Sequence, residues 1–583
     1  MEDAVETVTM SKRLITIILG VTVALALVPW IAALVMNRGL LHVPPEFTND
    51  SGYYFAQLHD VAHGYPFIGN PYFKEYANEP ATSFFGADWI AAAPLLIGIP
   101  LVPAIIFDTA IAFAIFAWLL IALSRKLGMR GWWIIAALVA VLASSYWLME
   151  RPVSMQIVFP CFAFFLLSYL AWLKDPDSHV AKVMLISSSA LAFYVYTFLW
   201  QIVVIVFGLT HVFFFVYERR RLISLVLIDA ATILLVLPVL WYTYLQLHES
   251  WYWQTMTRTG FVATHTFGSS AIITALITIA MFGVLWILCT DRMVRRTELI
   301  FFSITGTALL VAAFSTVVTG KDMEAAIHFI RFSYVWAALT GVYALSVYFG
   351  SGRIDWRKDM ISRYSVAALV IVAFLAWNMF QTIEGFRSID NRSVLASQVY
   401  AATMQWLNKN VPAGSVIFAD DSFSYYVPVM TDDYVLFQPD GGLYLIPDTD
   451  VQNRYLASRI FDSASRTDIE NDLRLYAGAG NANDGPQTAD RSAKLCMIFI
   501  RSNCPPMVSA LSYMGASYFN DLYARYQKDL TSPEAALAHY NVSYIVKDTE
   551  LDPQMQPQKL KGTKLLATVG RFEIYTFNTT STY

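Results

Sequence analysis

The densest gathering of side chains able to move protons lies early in the chain, in TNDSGYYFAQLHDVAHGYPFIGNPYFKEYANEPATSFFGADW. It carries Asp50, Asp60, Glu75, Glu79 and Asp88, with His59 and His63 between them. A carboxylate held beside a reacting hydroxyl can act as a general base. Asp50 directly precedes the helical pattern SGYYFAQLHDVAHG, so its structural reading is an N-cap that accepts amide hydrogen bonds of the first turn. Its functional reading requires the carboxylate to reach a substrate. His59 and His63 have the i, i+4 spacing of metal ligands. Gly64 ends that helix, however, and histidines near a helix C-terminus also answer its dipole. The dipole reading is preferred, and no metal is expected.

A second group is cationic. In TGKDMEAAIHFIRFSY, residues 319–334, His328 and Arg331 stand three apart on one helical face with Lys321 nearby. An arginine at a membrane edge can simply snorkel. On the outer leaflet, where basic residues are disfavoured, cations beside lipid headgroups also suit phosphate binding. Arg258, in WYWQTMTRTG, and Arg151, in MERPVSMQ, are weaker members of the same set.

These groups must be positioned by elements that live in lipid. The chain has 583 residues, of which 56% are hydrophobic and only 14% charged, against about a quarter charged in ordinary soluble domains. Helical runs of about 20 apolar residues fall near 14–36, 102–123, 131–147, 157–173, 183–198, 199–217, 224–246, 270–289, 299–318, 331–349 and 364–381, about eleven spans. The stretch 183–217 holds no Asp, Glu, Lys or Arg. As one helix it would be about 52 Å long, and both its flanks are basic, so two helices with a turn near Tyr196–Gln201 are expected. Residues 89–101 are apolar but short, with Pro94 inside, and predict a helix lying at the interface.

Lys and Arg concentrate in the short loops around 125–130, 174–182, 219–221, 292–296 and 353–363. The positive-inside rule then gives a cytoplasmic N-terminus, and an odd span count places residues 382–583 outside. The expected organisation is a transmembrane domain over 1–381, with a long first outer loop 37–101, and a soluble extracytoplasmic α/β domain over 382–583. In that second domain SVIFAD, NVSYIVKD and RFEIYTFN have strand character, residues 451–476 and 515–540 are helical in pattern, and 481–492 predicts a loop. Cys496 and Cys504 fall in a compartment expected to be oxidising and predict a short-loop disulfide. No basic run interleaved with aromatic residues occurs, which argues against a nucleic-acid partner.

In layout, and in the stretches NDSGYYFAQLHDVAHGYPFIGNPYF, RPVSMQ and TGK…HFIR, the chain resembles the GT-C superfamily of integral membrane glycosyltransferases, which includes protein O-mannosyltransferases and aminoarabinose transferases. The resemblance implies an enzyme of the cytoplasmic (inner) membrane, embedded in the lipid bilayer, that inverts the anomeric centre. Its donor would be a polyprenyl-phosphate sugar and its acceptor a glycan, lipid or protein. The substrate lipid would serve in place of any cofactor, and a monophosphate-linked donor brings no requirement for metal. The family's base sits where Asp50 stands, and Arg331, His328, Lys321 and Arg258 would hold the departing phosphate. The usual Asp-Glu pair is Asn49-Asp50 here, so Asp60 or Glu75 would supply the second carboxylate. The alternatives are a multi-pass transporter or lipid flippase, which should show broken helices at mid-membrane, and a scaffold, which needs no such carboxylates and cations.

Overall fold

The computed structural model describes residues 10–48, 50–82, 84–290, 294–323, 325–350, 363–388, 391–499 and 504–578. Asn49 and the basic residues Arg292, Arg353, Arg357 and Lys358 lie outside them. Among the described residues, nine helices are long and apolar enough to cross a membrane, making this a multi-pass membrane protein. The first span is a bent pair, α1 (Lys12–Ala26) and α2 (Val28–Met36), with an angle of 43° between them. Pro29 lies in the first turn of α2 and accounts for the bend, since it lacks an N–H and its ring crowds the carbonyl one turn back. A shorter apolar helix, His179–Val195, precedes Thr197–Tyr217. The break between those two helices is Tyr196, whose backbone is extended (φ −165°, ψ 125°), so the long uncharged stretch is two helices. With the bent pair and the shorter helix, each of the eleven expected spans has a helical counterpart.

Some of the polar groups within the bundle pair across helices. Trp336 Nε1 donates to Thr305 Oγ1 at 2.9 Å, and Gln156 Nε2 donates to Thr109 Oγ1 at 2.9 Å.

The first loop carries two helices, α3 (Ser51–Ala62) and α4 (Gly86–Leu96). At about 1.5 Å per residue, α4 is too short to span, and it exposes Trp89, Ile90 and Leu96 as an interfacial helix would. A two-stranded ribbon, β1 (Phe261–Ala263) with β2 (Lys321–Met323), joins the loops that follow the Arg220–Leu247 and Arg296–Ala313 helices.

The C-terminal region is built on a five-stranded sheet of order β4-β3-β5-β7-β6. The strands are β3 (Val416–Phe418), β4 (Tyr434–Val435), β5 (Val542–Asp548), β6 (Thr563–Val569) and β7 (Phe572–Phe577). β3 pairs in parallel with β4 and β5, and β7 runs antiparallel to β5 and β6. The expected loop at 481–492 is instead helical: a π-turn at Gly480–Asp484 runs into the helix Gly485–Phe499. Pro486 follows the π-turn, whose widened helical geometry accommodates a residue without an N–H. Cys496, on this helix, is joined to Cys504 by a disulfide with Cα atoms 5.6 Å apart.

The first loop is fastened to this domain along its length. The Gln398 side chain accepts from the amides of His42 and Val43 and donates to the Val43 carbonyl at 2.6 Å. Val435 N–H donates to the Tyr72 carbonyl at 2.9 Å, which covers the β4 edge of the sheet. Asn70 Nδ2 donates to the Gly441 carbonyl at 2.9 Å. Gly52 N–H donates to the Tyr425 hydroxyl at 2.8 Å, and a Cβ at Gly52 would run into that ring, so only glycine lets α3 approach so closely.

Candidate active site

Asp50 occupies the N-cap position of α3, but its side chain makes no capping bond. Its backbone is left-handed, with φ 67°, a conformation that aspartate tolerates better than most residues but at some cost. The carboxylate turns instead to Arg151, whose Nη2 donates to Asp50 Oδ2 at 2.7 Å. Arg151 comes from the tight connection between the Trp132–Met149 and Ser154–Lys174 helices and also lies over the Tyr54 ring, 5.1 Å from its centroid. Two residues on, Val153 has φ 59°, a strained conformation for a β-branched side chain. Backbone strain on both sides of one ion pair is the kind of feature that collects at functional sites.

The pair opens into a cavity of about 340 Å³. Aromatic side chains, including Tyr53, Tyr54, Phe84, Phe198, Trp200 and Phe261, share its walls with polar groups such as Gln246, Thr243 and Thr197, the mixture expected of a polar small-molecule site. His328 enters from the Ala325–Gly350 helix, stacked on Phe198 with centroids 4.0 Å apart. Its Nδ1 lies 2.6 Å from the Tyr196 hydroxyl and 3.4 Å from Arg331 Nη1. Arginine can only donate, so Nδ1 accepts and the imidazole proton belongs on Nε2. The break at Tyr196 is therefore also what brings its hydroxyl to the histidine.

The second carboxylate in this cavity is Asp440, from the 3₁₀ turn Pro439–Leu443 of the C-terminal region. Burial, and then the charges of Asp50 and Glu46, push its carboxyl up to about 7. Glu46 accepts from the Tyr426 hydroxyl at 2.7 Å and the Tyr425 hydroxyl at 3.2 Å, and its own carboxyl is raised chiefly by burial. Composition and spacing mark Asp440 only as part of a turn, Gln-Pro-Asp-Gly-Gly. Its approach to Asp50 depends on contacts between segments far apart in the chain.

The other expected residues are distributed differently. Arg331 and His328 stand together as their spacing requires. Lys321, on β2, places its ammonium 4.8 Å from the Trp253 ring and 5.3 Å from that of Phe261, which lines the cavity. Arg258 is only 2% exposed. It donates to the carbonyls of Gly442 (Nε), Tyr444 and Ile446 and pairs with Asp448, so its donors are occupied in holding the Asp440 turn. Glu75 pairs with the buried Arg454, and Asp60 lines a separate pocket with His59 and His63. Neither Asp60 nor Glu75 reaches the Asp50 cavity; Asp440 stands there instead, because the C-terminal region folds back over α3.

No protein-family model matches this chain, and no curated protein matches it in sequence. Among solved structures it is similar to the apo oligosaccharyltransferase of Archaeoglobus fulgidus, at 11% identity and TM-score 0.48, over 93% of this chain and 70% of that one. It is similar also to the oligosaccharyltransferase AglB of that organism in complex with an inhibitory peptide and a dolichol-phosphate, at 13% identity and TM-score 0.46, over 92% and 70% of the two chains. ArnT of Cupriavidus metallidurans bound to undecaprenyl phosphate is similar at 13% identity and TM-score 0.43, over 96% and 98%.

Proposed function

We propose that the chain is an inverting membrane glycosyltransferase that moves a sugar from a polyprenyl-phosphate donor to an acceptor hydroxyl at the outer face of the membrane. The observation that carries this reading is Asp50: a strained residue that caps nothing and aims its carboxylate, beside Arg151, into an aromatic cavity. In the reaction the acceptor oxygen bonds to the anomeric carbon while the bond from that carbon to the phosphate oxygen breaks. Asp50 takes the acceptor's proton as general base. Negative charge gathers on the departing polyprenyl phosphate, and fixed donors stabilise it more there than in the ground state. The His328–Arg331 pair supplies such donors, with Lys321 at the rim.

Arg151 acts as a positioning residue that holds the base, while Asp440, still able to donate a proton near neutral pH, orients a hydroxyl of sugar or acceptor. An apolar cavity of about 370 Å³ among the membrane helices, lined by Ile111, Ile115, Trp118, Leu119, Phe164 and Leu191, would take prenyl units of the donor.

Asp50→Asn separates this reading from a structural one. Asparagine tolerates the left-handed backbone but has no proton affinity near neutral pH, and loss of a positioned base costs about 10²–10⁴-fold in rate. Mass spectrometry of glycans and lipid-linked sugars, in a deletion strain complemented with wild type or Asp50→Asn at equal protein, should show the substrate lipid accumulating with the variant. Product at wild-type levels with the variant would remove Asp50 from the mechanism.

A further inference from the structure

The far end of α3 carries a different constellation. The His59 and His63 rings are stacked, with centroids 3.9 Å apart and 21° between planes. Their Nε2 atoms lie 3.8 Å and 4.0 Å from the same oxygen, Oδ1 of Asp432, in the turn after the Asp421–Met430 helix. One ligand atom from each of the three residues lies within 4.8 Å of the others. Asp50 stands nine residues away at the other end of the helix, about 13 Å along its axis.

Second contacts prepare the site. His63 Nδ1 lies 2.8 Å from the His59 carbonyl. A carbonyl only accepts, so Nδ1 carries a proton, and in the neutral ring Nε2 turns its lone pair towards the carboxylate. A lone pair facing an anion is unfavourable unless a cation lies between them, and a backbone bond to the other ring nitrogen is how metal-binding histidines are usually oriented. Ligand atoms around a tetrahedral zinc, at bonds of 2.0–2.1 Å, stand about 3.4 Å apart. The two edges from the histidines to Asp432 Oδ1 exceed that spacing by about half an ångström, and the third edge lies within 4.8 Å, so small side-chain movements bring the three atoms to that geometry. The three side chains border a cavity of about 270 Å³, shared with Asp60, Tyr65, Asp433 and Tyr434, with room for a water as fourth ligand. The His63 and Asp432 side chains are 48% and 51% exposed, which leaves a path for entry.

We propose that His59, His63 and Asp432 bind one zinc-like divalent cation that clamps the C-terminal end of α3 to the C-terminal domain. Two imidazoles and one carboxylate suit zinc rather than calcium or magnesium, which prefer oxygen alone. The dipole reading of these histidines does not account for Asp432. The clamp is structural and stands apart from the transfer reaction. It holds the helix that bears Asp50 from the end opposite the reacting groups.

The full-length protein, purified in detergent without a histidine tag and stripped with a chelator, is titrated with Co²⁺. Expected is a saturable visible d–d spectrum of tetrahedral type at one Co²⁺ per chain, displaced by Zn²⁺, and a thermal midpoint that rises with Zn²⁺. Asp432→Asn and His63→Ala should each lose the spectrum and the midpoint rise. Asp50→Asn should retain both, so failure of the glycosyltransferase reading does not register in this assay. If the histidine variant fails to fold, Asp432→Asn, a near-isosteric change on an exposed turn, decides. No saturable spectrum with the folded wild type, or unchanged binding in Asp432→Asn, overturns the site.

Discussion

A carboxylic acid that keeps its proton to about pH 7 gives a site a hydrogen-bond donor that an ordinary aspartate lacks, and Asp440 is such a group. Burial is the main cause and the neighbouring charges of Asp50 and Glu46 add to it. Its pKa in the folded protein lies above the ordinary value of about 3.9, so the folded state holds the proton more tightly than the unfolded one. The stability this contributes is whole below the ordinary value and is lost as pH rises through about 7. Asp440→Asn cannot ionise. Thermal unfolding should therefore find the variant more stable than wild type at pH 8, with the difference shrinking or reversing at pH 5. In kinetics, the variant should lose the limb near pH 7 in the profile of kcat/KM, while Asp50→Asn lowers the rate at every pH. An unchanged limb in Asp440→Asn would assign that titration to another group.

At the scale of elements, the short helix Tyr252–Arg258 serves the site through its last residue. It ends by inserting a guanidinium under the Pro439–Leu443 turn, where Arg258 meets three carbonyls and Asp448. Removing the guanidinium leaves Asp448, 36% exposed, to water but strands the buried Gly442, Tyr444 and Ile446 carbonyls, and an unsatisfied buried acceptor costs about 1–3 kcal/mol. Arg258→Ala should therefore lower the thermal midpoint and speed proteolysis of the C-terminal region in intact membranes. It should also cost activity, through Asp440. If instead the variant keeps wild-type stability and loses only affinity for the lipid donor, Arg258 is a phosphate ligand after all. The break at Tyr196 is a second case in which an element's end serves the site, since the extended residue between two helices reaches His328.

Across the whole molecule, the first loop and the C-terminal region form one cap, joined by Gln398, Asn70, Tyr425 and the covered edge of β4. A connection between two membrane helices supplies Arg151, the Ala325–Gly350 helix supplies His328 and Arg331, the first loop supplies Asp50, and the C-terminal region supplies Asp440. Because cap and cavity share a side, the topology read from the basic loops applies to both. A reporter fused after Tyr583 should be active only in the extracytoplasmic orientation. Activity confined to the cytoplasm would move the cavity, and the transfer reaction with it, to the inner face.

Local chemistry was enough to mark the helical spans, the interfacial helix α4, the split of 183–217, the strands β3, β5 and β7, and the closeness of His328 to Arg331. Each depends on apolar length, periodicity or spacing within one segment, which the backbone of a helix or strand turns directly into position. The helix at 485–499 is not legible in the sequence, because Gly485-Pro486 favours a turn locally and only the π-turn before it lets the helix carry through. The composition of the site was a different matter. Asp50 looked like a cap because the residue types at a helix start favour one; only the left-handed backbone and the distant Arg151 free its carboxylate for other use. Arg258 is a candidate phosphate ligand by sequence, but the fold buries it beneath the Pro439–Leu443 turn, and nothing local in the sequence marks Asp440 as a partner of Asp50. Which carboxylates share a cavity is decided by long-range packing, and no spacing along the chain encodes it.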